Sequence, residues 1–119
     1  MILQTLPDAS GWRLFKVEGQ LDFAAAPTIG AALMHAADIE HGDLLIDLED
    51  IKTADEKGVG TLKLAVRRLL NDHPGVHIAI VAKHGWLADE LAKADYPEPI
   101  AVYRDGSEAL DSIHIRRAA

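Results

Sequence analysis

With 119 residues the chain has the length of one domain around a single buried core, and 1–119 reads as one unit without linker or repeat. A formal charge of -7, with arginines clustered only in the short pairs Arg67-Arg68 and Arg116-Arg117, argues against nucleic acid or an anionic membrane as the main ligand. The absence of cysteine removes disulfides, thiolate zinc sites and thiol nucleophiles, and suits a cytoplasmic location.

Residues 1–8 have neither the basic opening nor the apolar stretch of a signal peptide. No apolar run approaches the ~20 residues of a membrane helix, so a soluble chain without membrane insertion is expected. Residues 2–6 and the alternating stretch 12–18 read as two strands of a hairpin, joined across the turn-like Pro7-Asp8-Ala9-Ser10-Gly11. Gly19-Gln20-Leu21-Asp22 then leads into a helix over about 25–39, with Pro27 tolerated in the first turn and Ile29, Leu33 and Ala36 on the buried stripe. His41-Gly42-Asp43 breaks this helix. The run Leu44-Leu45-Ile46-Asp47-Leu48 is apolar on both faces, as a central strand of a covered sheet must be.

A second helix is predicted over about 57–71, because Val59, Leu62, Val66 and Leu69 share one stripe, and Pro74-Gly75 ends it. Residues 76–82 form the second central strand, about 85–94 a short helix, and 100–103 the last strand. A closing helix over 107–115 starts at Ser107 as N-cap, with Leu110 and Ile113 facing inward. The order β-β-α-β-α-β-α-β-α predicts an α/β fold. It has a mostly parallel sheet of about five strands with right-handed crossovers, an antiparallel N-terminal hairpin strand and about four helices.

In open α/β sheets function gathers where strands end and helices begin, and residues 49–60 read as the loop in that place. Two helix starts overlap there. Thr53 with Glu56 three residues on forms a capping box, while Asp55 alone caps the amides of Lys57 or Gly58. Gly58 and Gly60 in the first turns each cost roughly 1 kcal/mol against alanine. Either the close approach of another backbone or a tight turn into the helix accounts for them.

Gly19-Gln20-Leu21-Asp22, the strand ending in Ile46-Asp47-Leu48, and Asp55-x-x-Gly58-Val59-Gly60 together resemble the STAS domains, the anti-sigma-factor antagonists and their SpoIIAA-like relatives. The resemblance runs from about residue 2 to 115 in element order and length. It implies a bacterial, cytoplasmic signalling module in transcription regulation that docks on an anti-sigma factor. In the antagonists the two positions after the motif aspartate are typically hydroxyl residues, and a serine there is the phosphorylation switch. Here those positions are Glu56 and Lys57, so no phosphosite stands at the usual place. Glu56 reads first as a capping residue favoured by the helix dipole, by ~0.3–1 kcal/mol. Its second reading is a fixed charge where a phosphoserine would carry roughly -1.5 to -2. Thr53 and Thr61 are the nearest hydroxyls; capping is their first reading and a relocated phosphosite their second.

Other constellations are thin. His35, His41, His73, His77, His84 and His114 are dispersed, so no metal site is expected. Neither a G-x-S-x-G elbow nor a Walker-type loop is present. Asp47, Glu49, Asp50, Asp55 and Glu56 make an acidic patch near one sheet edge that reads first as a solvated loop and second as a site for a cation or a basic partner surface. Met34 and Leu64 lie around their helices from the buried stripes and form a candidate apolar patch beside Lys57 and Lys63. Trp86 opens the short helix, either covering the sheet end or lining a shallow pocket.

These residues point to a non-catalytic protein-interaction module without cofactor or metal. It docks on a signalling partner through residues 53–68, with Thr53, Asp55, Glu56, Lys57, Gly58, Gly60 and Leu64 as the partner-binding set. Two other readings remain: a STAS-like subunit of a lipid-transport ABC complex, and a SpoIIAA-like carrier of a small ligand or lipid. Oligomeric state is left open.

Overall fold

A computed structural model describes residues 2–5, 11–40, 42–83, 85–93, 95–98 and 100–118. In chain order the elements are β1 (Ile2–Thr5), β2 (Trp12–Leu21), α1 (Ala26–Glu40), β3 (Asp43–Ala54), α2 (Glu56–Asp72), β4 (Ile78–Val81), α3 (Gly85–Ala92), β5 (Ala101–Tyr103) and α4 (Gly106–Ala118). The sheet order is β1-β2-β3-β4-β5. Strands β2 to β5 form a parallel four-strand sheet, and β1 pairs antiparallel along the outer edge of β2. The connection expected to make a hairpin of β1 and β2, residues 6–10, lies outside the described residues.

Burial follows from this order. All four residues of β4 are buried, as are Leu44, Leu45 and Ile46 of β3, because helices cover both faces of the central strands. On one face Phe15, Val17, Ile46, Leu48 and Ile80 pack under Ile29 and Leu33 of α1, Leu62 and Val66 of α2, and Leu87 and Leu91 of α3. On the other face Trp12, Leu45, Ala79 and Val81 pack under Ala109 and Ile113 of α4. Among the described residues no helix is long and apolar enough to cross a membrane.

Several boundaries depart from the sequence expectation: those of β2, which runs on to Leu21, of β4, shorter than expected at Ile78–Val81, and of β3 and α4. Residues 49–54, read as loop, continue β3 as strand and pair with the end of β2 from Glu18 to Leu21. The pairing of β3 with β4 stops at Asp47, so this extension has a sheet neighbour on one side only and tolerates the polar sequence Glu49-Asp50-Ile51-Lys52-Thr53. The hydrophobic alternation that marks a strand is therefore reduced to Ile51, which is buried. At the last helix Asp105, not Ser107, supplies the cap. Its Oδ1 accepts from the amides of Ser107 (2.7 Å) and Glu108 (3.3 Å), and α4 already includes Gly106.

Tyr96 follows α3 and donates its hydroxyl to the carbonyl of Leu91 at 2.9 Å. Burial pushes the phenol up from 10.0 to about 12. A group whose folded value is raised in this way contributes its full stability below its unfolded value and loses it as the pH climbs through the folded one. The urea midpoint of the wild type is therefore expected to fall between pH 10 and about 12, and Tyr96→Phe to escape that share of the fall. Equal losses in the two proteins across this window would exclude Tyr96 as the group responsible.

Candidate functional site

The parallel strands β2 and β3 end side by side, and the helices that follow them start from aspartates. At the end of β2 the register against β3 shifts between Gly19 and Gln20, and Gly19 takes φ 87°, a left-handed conformation that glycine adopts without strain. Three residues after Gly19, Asp22 accepts the amide of Ala25 on Oδ1 at 2.8 Å and the amide of Ala26 on its carbonyl at 2.9 Å, which starts α1.

At the end of β3 the structure chooses between the two predicted helix starts. Asp55 is the N-cap of α2, extended at φ -121° and ψ 167°, and its Oδ1 accepts the Gly58 amide at 2.6 Å. Its Oδ2 accepts the Phe23 amide at 3.3 Å, and its own amide donates to Leu21 O at 3.2 Å. One carboxylate thus caps α2 and holds the loop between β2 and α1. The capping box is overturned: Thr53 sits inside β3 opposite Gln20, and Glu56 occupies the first helical position, two residues short of the place a capping box requires. Glu56 is exposed, so its charge faces solvent at the positive end of the helix.

The two glycines have different reasons. A Cβ on Gly58 would lie 2.2 Å from the carbonyl oxygen of Leu21, 2.7 Å from its carbonyl carbon and 2.8 Å from Cα of Asp22. The start of α2 therefore packs directly on the backbone at the end of β2. Of the two accounts open in the sequence, close backbone approach holds for Gly58. A Cβ on Gly60 would meet nothing within 4 Å, and neither residue has a positive φ.

Along the outer side of α2 the structure brings together Lys57, Gly60, Thr61 and Leu64. Leu64 is 61% exposed, and Phe23, in the loop that Asp55 holds, is 65% exposed. The Lys57 ammonium lies 5.3 Å from the centre of the Phe23 ring, within reach of a cation–π contact. Phe23 was missed in the sequence reading. Its signal was an aromatic residue immediately after the Asp22 cap, outside every apolar stripe. The Thr61 hydroxyl donates to the Lys57 carbonyl at 3.0 Å within the helix.

Not all of the predicted patch assembles. Met34 lines the same open groove between α1 and α2 as Leu64, although it is only partly exposed and packs against the core, while Lys63 turns the other way, to Glu90 of α3 at 3.2 Å. The acidic residues do not converge either. Asp47 accepts the Glu49 amide, Asp55 caps α2, and Asp50 pairs with Lys16 at 2.9 Å, a bond that raises the Lys16 ammonium above its ordinary value. His73 pairs with Asp38 at 2.9 Å and His77 with Asp43 at 3.2 Å, so each of these ring nitrogens faces a carboxylate from a different element. His41 and His84 lie outside the described residues. Trp86 is 44% exposed and lines a hollow of about 130 Å³ with Leu87 and residues 51–54. That volume is below the ~300–1,000 Å³ of ordinary small-molecule pockets.

Residues 3–109 match the family model of the STAS domain. The chain belongs to the STAS domain family. Among solved structures, this STAS domain is similar to the anti-sigma factor antagonist SpoIIAA in its unphosphorylated form. The TM-score is 0.63 at 17% identity, over 94% of this chain and 96% of that one. It is also similar to a serine-to-glutamate variant of RsbS from Moorella thermoacetica, with a TM-score of 0.71 at 18% identity, over 99% of this chain and 97% of that one. Identities this low establish a common fold. None of the curated proteins compared matches the chain. Within the STAS domain, the bond from the Asp55 amide to Leu21 O and the close approach of Gly58 to Leu21 and Asp22 join segments 19–22 and 55–60 into one corner.

Proposed function

We propose that this STAS domain docks on a protein partner through the start and outer side of α2, and performs no catalysis of its own. The observations that carry the reading are the two large apolar side chains left exposed here, Phe23 and Leu64, and the Lys57 ammonium over the Phe23 ring. Large apolar side chains left in water beside a rigid backbone corner are the usual anchors of an interface. The fold supports the same reading, since the related structures include an anti-sigma factor antagonist. The partner is an anti-sigma factor or another signalling protein of a bacterial cytoplasm. Thr53, Asp55, Glu56, Lys57, Gly58, Gly60 and Leu64 have separate tasks in this reading. Asp55 and Gly58 set the angle of α2, Lys57 and Leu64 touch the partner, Gly60 leaves room for it, and Thr53 and Glu56 lie at its rim.

Docking of this kind is not gated by serine phosphorylation at the usual site. The two positions after Asp55 carry a carboxylate and an ammonium, and the nearby Thr61 hydroxyl is bonded to the Lys57 carbonyl. Glu56 presents a fixed negative charge at the helix start, partly offset by its neighbour Lys57.

The test is affinity retention from the native cytosol, with Leu64→Asp alongside the wild type and mass spectrometry of the retained proteins. An anti-sigma factor or other signalling protein held by the wild type and lost by Leu64→Asp is expected. An ATPase of a transport complex held in the same way would replace the signalling assignment. Identical retention by the two proteins would remove α2 as the docking element. Leu64 is an exposed helix residue, so the substitution is expected to change stability by less than ~0.5 kcal/mol.

A further inference from the structure

We infer that the open edge of β3 is a second binding site, which takes an extended, acidic segment of a protein partner as an added strand. The ladder between β3 and β4 stops at Asp47, whereas β3 runs on to Ala54 with β2 along its other side. Among the described residues, no main-chain bond joins residues 50–54 to β4, to α3 or to the chain between them. Alternate residues of a strand turn their N–H and C=O to opposite sides. Half of this stretch therefore offers main-chain donors and acceptors that the fold leaves unused.

The hollow beside Trp86 lies along that edge. Residues 51, 52, 53 and 54 all line it. Successive side chains of a strand point to opposite faces, so what four consecutive residues share is the edge of the strand. The opposite wall is Leu87 and the half-exposed Trp86, at the start of α3. An extended peptide added to a sheet is held by main-chain bonds to such an edge and is read by pockets for its alternate side chains. At about 130 Å³ the hollow takes one side chain, and Trp86, Leu87 and Ile51 around it make that side chain an apolar one.

Charge selects the rest of the segment. Of the acids along the strand, Asp50 is bound to Lys16 at 2.9 Å, and Glu49 stands against the start of α4, where a Cβ on Gly106 would lie 2.6 Å from its Oε1. Asp55 caps α2, and Glu56 lies past the end of the strand in the first turn of that helix. The acids of α3 are held as well, Asp89 by Arg104 at 3.2 Å and Glu90 by Lys63 at 3.2 Å. Arg104 itself reaches the start of α3, since a Cβ on Gly85 would lie 3.3 Å from its Nη1. Lys52 lines the hollow, and Lys83 precedes Trp86 by three residues. Both are exposed and have no ion pair among the described residues. In a chain of net charge -7 the hollow thus has a basic rim, which an acidic segment meets and a basic one does not.

This inference does not rest on docking through α2, because none of Phe23, Lys57 and Leu64 lines the hollow.

A phage-displayed library of random short peptides, selected on the wild type and counter-selected on Trp86→Ala, tests it. The enriched peptides are expected to carry one large apolar residue flanked by Asp or Glu. A synthetic copy of one of them is expected to bind Trp86→Ala and Lys52→Glu at least roughly tenfold more weakly than the wild type. Its affinity for Leu64→Asp is expected to be unchanged. N-methylation of alternate peptide amides separates strand addition from side-chain contact alone: one alternate set is expected to abolish binding, and the other to be tolerated. Amide exchange at residues 50–54 is expected to slow when the peptide is bound. Thermal melts establish that each variant is folded, and Lys52→Glu, altered only at an exposed side chain, takes over the counter-selection where Trp86→Ala melts early. No enrichment overturns the inference, as do enriched peptides that are basic or an affinity indifferent to both methylated sets. Loss of peptide binding in Leu64→Asp would move the site to α2 and overturn it equally. Any of these results leaves the retention experiment, and with it the docking reading, to be decided on its own outcome.

Discussion

Gly58→Ala is expected to lose about 3 kcal/mol of stability or more, at the upper end of what overpacking costs. The added methyl would stand 2.2 Å from the Leu21 carbonyl oxygen and 2.8 Å from Cα of Asp22. Both atoms are main chain, so no rotamer change relieves the contact, and either α2 or the end of β2 must move. The end of β2 is in turn fixed by its ladder to β3 and by the bond from the Asp55 amide to Leu21 O. A domain whose total stability is of the order of 5–15 kcal/mol loses a large part of it in this way. Gly60→Ala, two residues along the same helix, is the control. Its methyl meets nothing within 4 Å, so the smaller conformational freedom of alanine in the unfolded chain should stabilise by about 0.5–1 kcal/mol. Urea midpoints of the two variants should therefore move in opposite directions. Two equal losses would mean that helix propensity and not the contact with β2 governs this turn.

Asp55→Ala carries the second largest expected effect, a loss of about 2 kcal/mol, at the top of the range for removing an N-cap. The substitution deprives two amides of their acceptor, Gly58 at the start of α2 and Phe23 in the neighbouring loop. Asp55→Asn keeps an oxygen for one of them and is expected to lose far less. The expected signature is a lower urea midpoint with an unchanged slope, since the exposed surface on unfolding stays the same. A loss equal in Asp55→Ala and Asp55→Asn would assign the effect to charge at the helix start and not to the hydrogen bonds.

Much of this architecture was legible in the sequence, for identifiable reasons. The stripes Ile29-Leu33-Ala36 and Val59-Leu62-Val66-Leu69 are complete, and every one of these residues is buried. The central strands β3 and β4 announced themselves because coverage on both faces leaves their middle residues uniformly apolar. The second half of β3 was hidden because it is paired on one side only and carries polar residues there. At α2 the choice between Thr53 and Asp55 was undecidable from spacing alone, and strand pairing decided it by placing Thr53 in the ladder.

The candidate site shows the same division. Asp55, Gly58 and Leu64 could be picked out because cap, glycine and off-stripe leucine are local signals. Phe23 could not, since its partner Lys57 lies 34 positions away and the two meet only when β2 and β3 are side by side. Lys63 was misassigned for the mirror reason: its long side chain reaches Glu90 on α3, which no helical-wheel argument from α2 alone contains.

The most direct test of the docking face is an equilibrium binding isotherm of the partner recovered from the cytosol, measured against the wild type, Leu64→Asp and Lys57→Glu at equal melting temperature. A centrally placed anchor contributes about 2 kcal/mol or more, so at least a roughly 30-fold loss of affinity is predicted for Leu64→Asp and a smaller one for Lys57→Glu. Wild-type affinity in the folded Leu64→Asp protein would place docking elsewhere on the domain and contradict the account.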